Sequence, residues 1–316
     1  MQDIVLEQAA LSVRARRRIR GYIYETPSLP ARSEASLFFK AENFQHTGSF
    51  KFRGAASKMT AIPRGQGLIT ASSGNHGIAS AKAASLTGNK LTVVLPKNVT
   101  GTKLERIRAY GVEVLLEGDE SGAAEEHAQA AARSRGLVYV SPYNDPDIIA
   151  GQGTIGLELL EQHEHIDSVF IAMGGGGLIS GIASVMKSYS PSTRIIGVAA
   201  ENSAALAASI KAGRIVEVEH HPTLADGVAG GVDADSMTLP LAMAAVDEIV
   251  QCSEAEITAA LGKLVIEENM IVEGAAGLAY AGFLKRRPAA GEAVNVVVLC
   301  GANVDAHKIL ALAGNR

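Results

Sequence analysis

Short runs of aliphatic and β-branched residues recur at 68–71, 91–95, 112–116, 138–140, 169–173, 195–200 and 294–299. Each is stopped by Gly, Pro or a small residue and followed by an alanine-rich stretch whose apolar positions repeat at helical spacing. Strand alternating with helix predicts parallel sheets. VNVVVL and RIIGVAA are apolar at every position rather than every second one, so helices are expected over both faces of these strands. An N-terminal helix is predicted ahead of them, with the basic run at 14–20 (RARRRIR) as its wet face because Leu11 and Ile19 interleave it.

Ligands of such sheets sit beyond the carboxyl ends of the strands, so the loops that directly follow a strand carry the information. Three are unusual: Ser72-Ser73-Gly74-Asn75-His76-Gly77 after 68–71, Gly174-Gly175-Gly176-Gly177 after 169–173, and Cys300-Gly301-Ala302-Asn303 after 294–299. Four glycines opening a helix leave the first-turn N–H groups unobstructed, which suits a phosphate; a bare turn would need only one or two. The loop is no Walker motif, since Lys-Ser/Thr does not follow, and a dinucleotide fingerprint would need a third glycine where Ile179 or Ser180 stands. SSGNHG also opens a helix but adds hydroxyls and an amide, a combination for an organic carboxylate or for an ordinary N-cap. Lys51 lies between Phe50 and Phe52, a setting in which burial lowers an ammonium pKa and frees the amine as nucleophile or base.

Bulk properties narrow the class. The chain has 316 residues, 47% hydrophobic, 20% charged and 4% aromatic with no Trp, a composition for one two-lobed globular unit rather than a disordered or fibrous chain. A net charge of -4 gives no basic field for nucleic acid. No signal peptide or membrane span is expected, and two distant cysteines, Cys252 and Cys300, fit neither a disulfide framework nor a metal spacing, so a reducing cytoplasm is expected. His163, His165, His220 and His221 sit among acidic residues with no third ligand and are expected at the surface. Asp226-Gly227 and Glu273-Gly274 are second-tier candidates to line a cofactor pocket.

Taken together and in this order, TGSFK, SSGNHG, the four glycines and the Cys300 loop resemble the fold type II, tryptophan synthase β-like, pyridoxal-5'-phosphate enzymes, in the serine/threonine dehydratase and serine racemase branch. The resemblance runs from the N-terminal helix to Asn303. It implies an α/β fold of two lobes, each a mainly parallel twisted sheet covered by helices, with a small mobile lobe of residues 63–144 inserted in a larger one of 1–62 and 145–316. It implies that Lys51 holds pyridoxal 5'-phosphate as a Schiff base, Phe50 packs on the ring and Asn75 meets the ring hydroxyl. The phosphate falls to Gly174, Gly175, Gly176, Gly177 and Leu178, with Gly227 also on the cofactor, and Cys300 faces the pyridine nitrogen. Ser72, Ser73, Gly74, Asn75, His76 and Tyr143 fall on the substrate side.

The implied activity is conversion of a β-hydroxy amino acid such as L-threonine or L-serine to a 2-oxo acid and ammonia by a homodimer. Lys51 takes the α-proton. The His of SSGNHG favours this branch over cysteine synthases, and a thiol at Cys300 is a weak donor that suits elimination over transamination. Ser73 matches the second-face acid of serine racemases, which keeps racemization as an alternative. Tyr143, however, replaces the Asn common in racemases, and Ala207 replaces the acidic partner that Glu201 and the Ala205 carbonyl would need for a divalent cation, so no metal is expected. Another hydroxy amino acid (3-hydroxyaspartate, a phenylserine or a hydroxyectoine-derived compound) is a further possibility. A nucleotide- or NAD-binding protein is the distant one, motivated by the glycine turn and Glu201.

Overall fold

The computed structural model describes residues 2–287 and 294–304. In chain order the helices and strands are α1 (Gln2–Ile19), β1 (Ser28–Pro30), β2 (Leu37–Lys40), α2 (Lys51–Ala61), β3 (Gly67–Ala71), α3 (Asn75–Thr87), β4 (Lys90–Leu95), α4 (Gly101–Arg108), β5 (Glu113–Leu116), α5 (Ser121–Arg135) and β6 (Val138–Tyr139). There follow α6 (Pro146–Gln162), β7 (Ser168–Ala172), α7 (Gly177–Tyr189), β8 (Arg194–Ala200), α8 (Ala205–Ala212), α9 (Thr238–Ala245), β9 (Glu248–Cys252), α10 (Glu254–Ile266), α11 (Gly274–Arg286) and β10 (Asn295–Val298).

Two sheets result. One has the order β1-β2-β10-β7-β8-β9, the other β5-β4-β3-β6. Every neighbouring pair is parallel except β1 with β2. In the six-stranded sheet β7 and β10 are buried at every position, as continuous apolar runs require when helices cover both faces. Phe170 of β7 meets Phe283 of α11 edge-on, ring centroids 5.4 Å apart, and a Phe→Ala change in such a core costs about 3–5 kcal/mol. The four-stranded sheet carries the alanine face of α3 (Ala79, Ala83) on one side and that of α5 (Ala124, Ala128, Ala131) on the other. Small side chains let both helices lie close to the strands.

Three strands escape the hydrophobic pattern. β1 and β9 are sheet edges with polar or proline positions, and β2 ends in a lysine. The arginines of α1 also divide differently from a single wet face. Arg16 pairs with Glu161 at 2.7 Å and Arg18 with Asp147 at 3.1 Å, tying α1 to α6, while Arg14, Arg17 and Arg20 stay exposed.

A buried charged cluster fixes the start of α2. The fully buried Arg53 donates to Glu42 (Nε to Oε2, 2.8 Å) and to Glu158 of α6, which also receives the ammonium of Lys40 at 2.6 Å. Burial would raise the Glu158 carboxyl, but Arg53 and Lys40 hold it below the usual range. Two cations against two carboxylates balance, so removing one partner would leave a buried uncompensated charge costing about 3–5 kcal/mol. Arg53 lies two residues beyond Lys51, and the cluster thereby anchors the turn of helix that carries Lys51.

Candidate active site

A cavity of about 720 Å³ opens where the carboxyl ends of β3, β7 and β10 meet, and every residue that the resemblance places on cofactor or substrate lines it, as do Asp226 and Glu273 but not Gly274. Lys51 begins α2 after a turn in which Gly48 adopts φ +73°. The turn is held to the β10 loop by Phe50 N–H donating to the Cys300 carbonyl at 3.0 Å and by a bridge between Ser49 and Gly301. Lys51 Nζ donates to the Pro142 carbonyl at 2.8 Å and sits 5.2 Å from the centre of the Phe50 ring. Burial lowers its pKa to about 8 against the opposing pull of Cys300 and Glu273. Phe52, by contrast, points into the core beside the four-stranded sheet.

The glycine loop after β7 is a close-packed cradle. A Cβ on Gly175 would lie 2.6 Å from the Tyr143 ring, and one on Gly177 3.0 Å from Tyr143 Cα and Cβ. Gly176 is the N-cap of α7 at φ +91° and supplies no side-chain cap. First-turn N–H groups of a helix have no intrahelical acceptor, so those of Gly177 and Leu178 are available to an anion in the cavity. Tyr143 lines the cavity and also packs on this loop: its ring walls the glycines, and its hydroxyl accepts from Asp233 N–H at 2.9 Å.

The serine loop after β3 is built differently. α3 starts at Asn75, with Gly74 as an N-cap that makes no side-chain bond. Ser72 Oγ accepts from Gly74 N–H at 3.2 Å and shapes the turn. Gly77 is obligatory, because a Cβ there would lie 1.8 Å from the Ser72 carbonyl oxygen. His76 turns its imidazole inward, Nε2 lying 3.0 Å from both Thr70 Oγ1 and the Val140 carbonyl, and burial pushes its pKa down to about 3. A neutral ring with its proton on Nε2 satisfies that carbonyl. Ser73 lines the cavity, and the half-exposed loop leaves the first-turn N–H groups of α3 without an intrahelical acceptor.

Cys300 is buried and its thiol is held well above its usual pKa by burial and by Glu273, so it is neutral. Its Sγ lies 4.0 Å from Glu273 Oε1. Glu273 immediately precedes α11 and accepts from Asn75, while a Cβ on Gly227 would lie 3.5 Å from Glu273 Oε1. Sequence reasoning places Glu273, which lines the cavity, with Gly274 only in the second tier of pocket candidates. It singled out neither Asn303 nor Arg106, although both line the cavity. Asn303 stood inside the quoted Cys300 loop; Arg106 is one charge on a polar helix and gave no signal. Glu201 pairs with Lys285 at 3.7 Å, and among the described residues no three His, Cys, Asp or Glu side chains group to hold a metal.

Two helix starts and a lysine of lowered pKa face one cavity between parallel sheets, an arrangement chemically able to hold a phosphorylated, amine-reactive group. Residues 19–301 match the family described as pyridoxal-phosphate dependent enzyme, and the chain belongs to that family. It is 40% identical over 276 residues to an L-threonine ammonia-lyase of Thermotoga maritima, covering 86% of this chain and 68% of the relative. Among solved structures it superposes on the processed form of threonine deaminase isoform 2 from Solanum lycopersicum with a TM-score of 0.89, at 32% identity over 99% of this chain and 89% of the other. It also superposes on maize serine racemase with a TM-score of 0.88, at 30% identity over 96% and 95%.

Proposed function

We propose that this chain is a pyridoxal 5'-phosphate dependent ammonia-lyase that converts a small β-hydroxy amino acid of the threonine or serine type to a 2-oxo acid and ammonia. The observation that carries it is the Lys51 amine, with its pKa lowered to about 8, in one cavity with two helix starts whose N-caps make no side-chain hydrogen bond. The cofactor fits the residues present: the glycine cradle would be filled by any Cβ, and the only covalent handle needed is an amine. When bound, it supplies a sink for the electrons left as the α-hydrogen departs.

The chain's own groups do the rest. Gly174, Gly175, Gly176, Gly177 and Leu178 hold the phosphate, with Gly227 beside the ring. Phe50 packs against the ring, Asn75 meets its hydroxyl, and Cys300 offers a neutral thiol, without charge, to its nitrogen. The loop over 72–76, with the N–H groups that open α3, binds the substrate carboxylate, and Tyr143 closes that side. Lys51 Nζ holds the cofactor and then receives the α-proton. A group with pKa near the working pH is suited to both tasks. Loss of water across the α–β bond and hydrolysis of the resulting enamine give the 2-oxo acid and ammonia.

The same proposal takes 63–144 as a smaller unit that moves over the substrate against 1–62 and 145–316, in a cytoplasmic homodimer. Two buried free cysteines suit a reducing compartment, and among the described residues no helix is long and apolar enough to cross a membrane. Racemization is the second possibility, favoured by Ser73, which lines the cavity. The test is 2-oxo-acid release from serine, threonine, 3-hydroxyaspartate and phenylserine, with chiral analysis of serine for wild type and Ser73→Ala. Release of 2-oxo acid without D-serine, largely kept in Ser73→Ala, is expected. D-serine forming as fast as pyruvate, and lost in the variant, would contradict the lyase assignment.

A further inference from the structure

Beside the cavity, four polar side chains form one chain with a single direction. Arg106 Nη2 donates to Asn303 Oδ1 at 2.8 Å, Asn303 Nδ2 donates to Asn75 Oδ1 at 2.7 Å, and Asn75 Nδ2 donates to both oxygens of Glu273 at 2.9 Å. The links come from four elements across both sheets: α4, the loop after β10, the first residue of α3 and the residue before α11. Asn303 Nδ2 also donates to the Thr47 carbonyl at 2.8 Å, four residues before Lys51.

The ends dictate the middle. A guanidinium has only donors and an ionised carboxylate only acceptors, so each amide between them has one permitted orientation. Turning the Asn303 amide would aim its NH2 at Arg106, and turning the Asn75 amide would aim its oxygen at Glu273. Chains of this kind polarise one another, and a half-satisfied one is costly. The carboxylate is held on other sides as well. Glu273 is 6% exposed and accepts Asn303 N–H at 3.2 Å, and a Cβ on Gly301 would sit 2.7 Å from its carboxyl group.

We propose that Glu273 and Arg106 are positioning residues which, from opposite ends of this chain, fix Asn75 so that its amide N–H faces the cavity and donates to an oxygen of the cofactor ring. The proposal rests on the cavity holding pyridoxal 5'-phosphate. One Asn75 hydrogen serves Glu273 and the other remains for the cavity, so a ring oxygen held there would act as the acceptor. The contact is switched by charge. Protonated Glu273 can itself donate to Asn75 Oδ1, which permits the turned amide and removes the donor from the ring. Burial raises the Glu273 pKa to about 6, opposed by the bonds from Asn75 and Asn303. The charged or titratable groups that bear on it are Asp226 from the turn at 226–228, Lys51 from α2, the Cys300 thiol after β10 and, through the two amides, Arg106 from α4.

The test uses the full chain as wild type, E273Q, E273D and R106M, loaded with pyridoxal 5'-phosphate. It reads the visible absorption of the bound cofactor from pH 5 to 8 and cofactor affinity by titration of the apoprotein. Wild type is expected to change its spectrum as pH falls through about 6. E273Q should lose that response and bind the cofactor about tenfold more weakly, the worth of one hydrogen bond. E273D should restore the response, and R106M should weaken binding about threefold without abolishing it. A wild-type spectrum, pH response and affinity in E273Q would overturn the proposal. If E273Q does not fold by circular dichroism, the exposed R106M decides, and unchanged affinity and spectrum there overturn it. A wild type that binds no cofactor would instead refute the functional assignment beneath it.

Discussion

The helix start after β7 and the helix start after β3 face the same cavity and use the same device, a set of unpaired first-turn N–H groups, yet they are made of different residues. The loop after β7 is all glycine and lies against another element, since Tyr143 occupies the space side chains would take. It offers only backbone and dipole, which suits the many equivalent oxygens of a phosphate. The loop after β3 retains Ser72, Ser73 and Asn75 and pins its shape from within, through Ser72 Oγ on Gly74 N–H and Gly77 against the Ser72 carbonyl. It can tell one orientation of a ligand from another. In the first loop glycine makes room for neighbouring elements such as Tyr143, and in the second it makes room for the loop's own backbone.

That difference predicts opposite phenotypes for two equally small changes. Gly77→Ala forces a Cβ to within 1.8 Å of a backbone oxygen that cannot yield cheaply, so unfolding stability should drop by about 3 kcal/mol, read from urea denaturation. Gly175→Ala meets an aromatic ring at 2.6 Å, which can tilt, so the fold should survive while cofactor affinity falls about 100-fold. Adding Tyr143→Ala to Gly175→Ala should return part of that affinity. If Gly175→Ala unfolds the protein and Gly77→Ala only weakens cofactor binding, the comparison is wrong.

A smaller effect separates the lysine from both loops. Because the Lys51 pKa is lowered to about 8, the reactive amine is the minor form below that pH and the major form above it. The rate at which the apoprotein captures pyridoxal 5'-phosphate should therefore rise with pH and level off above about 8. A rate still climbing toward about pH 10 would mean that the ammonium is solvated and unperturbed.

The strands that line the site were legible because they are buried on both faces, which leaves continuous apolar runs such as VNVVVL. β1, β2 and β9 were not, since edge strands keep polar positions and Lys40 satisfies its charge through Glu158, a partner more than a hundred residues away. Residues that gather at the cavity were legible where they lie in a rare local string, as at TGSFK, SSGNHG and the four glycines. Relations between distant residues were not. Nothing in the string places Tyr143 across Gly175, Arg53 between Glu42 and Glu158, or Arg106 at the end of a chain to Glu273. These pairings are consequences of two sheets closing on each other, and only the folded chain brings them within bonding distance.

The proposed chemistry depends on one residue, Lys51, carrying the cofactor through its amine. Reduction of the cofactor-loaded protein with borohydride, followed by protease digestion and mass analysis of the peptides, tests it directly. A single pyridoxyl-phosphate adduct is expected on the peptide containing Lys51, absent when Lys51→Ala is treated in the same way. An adduct on a different lysine in the wild type, or an undiminished adduct in Lys51→Ala, would contradict it.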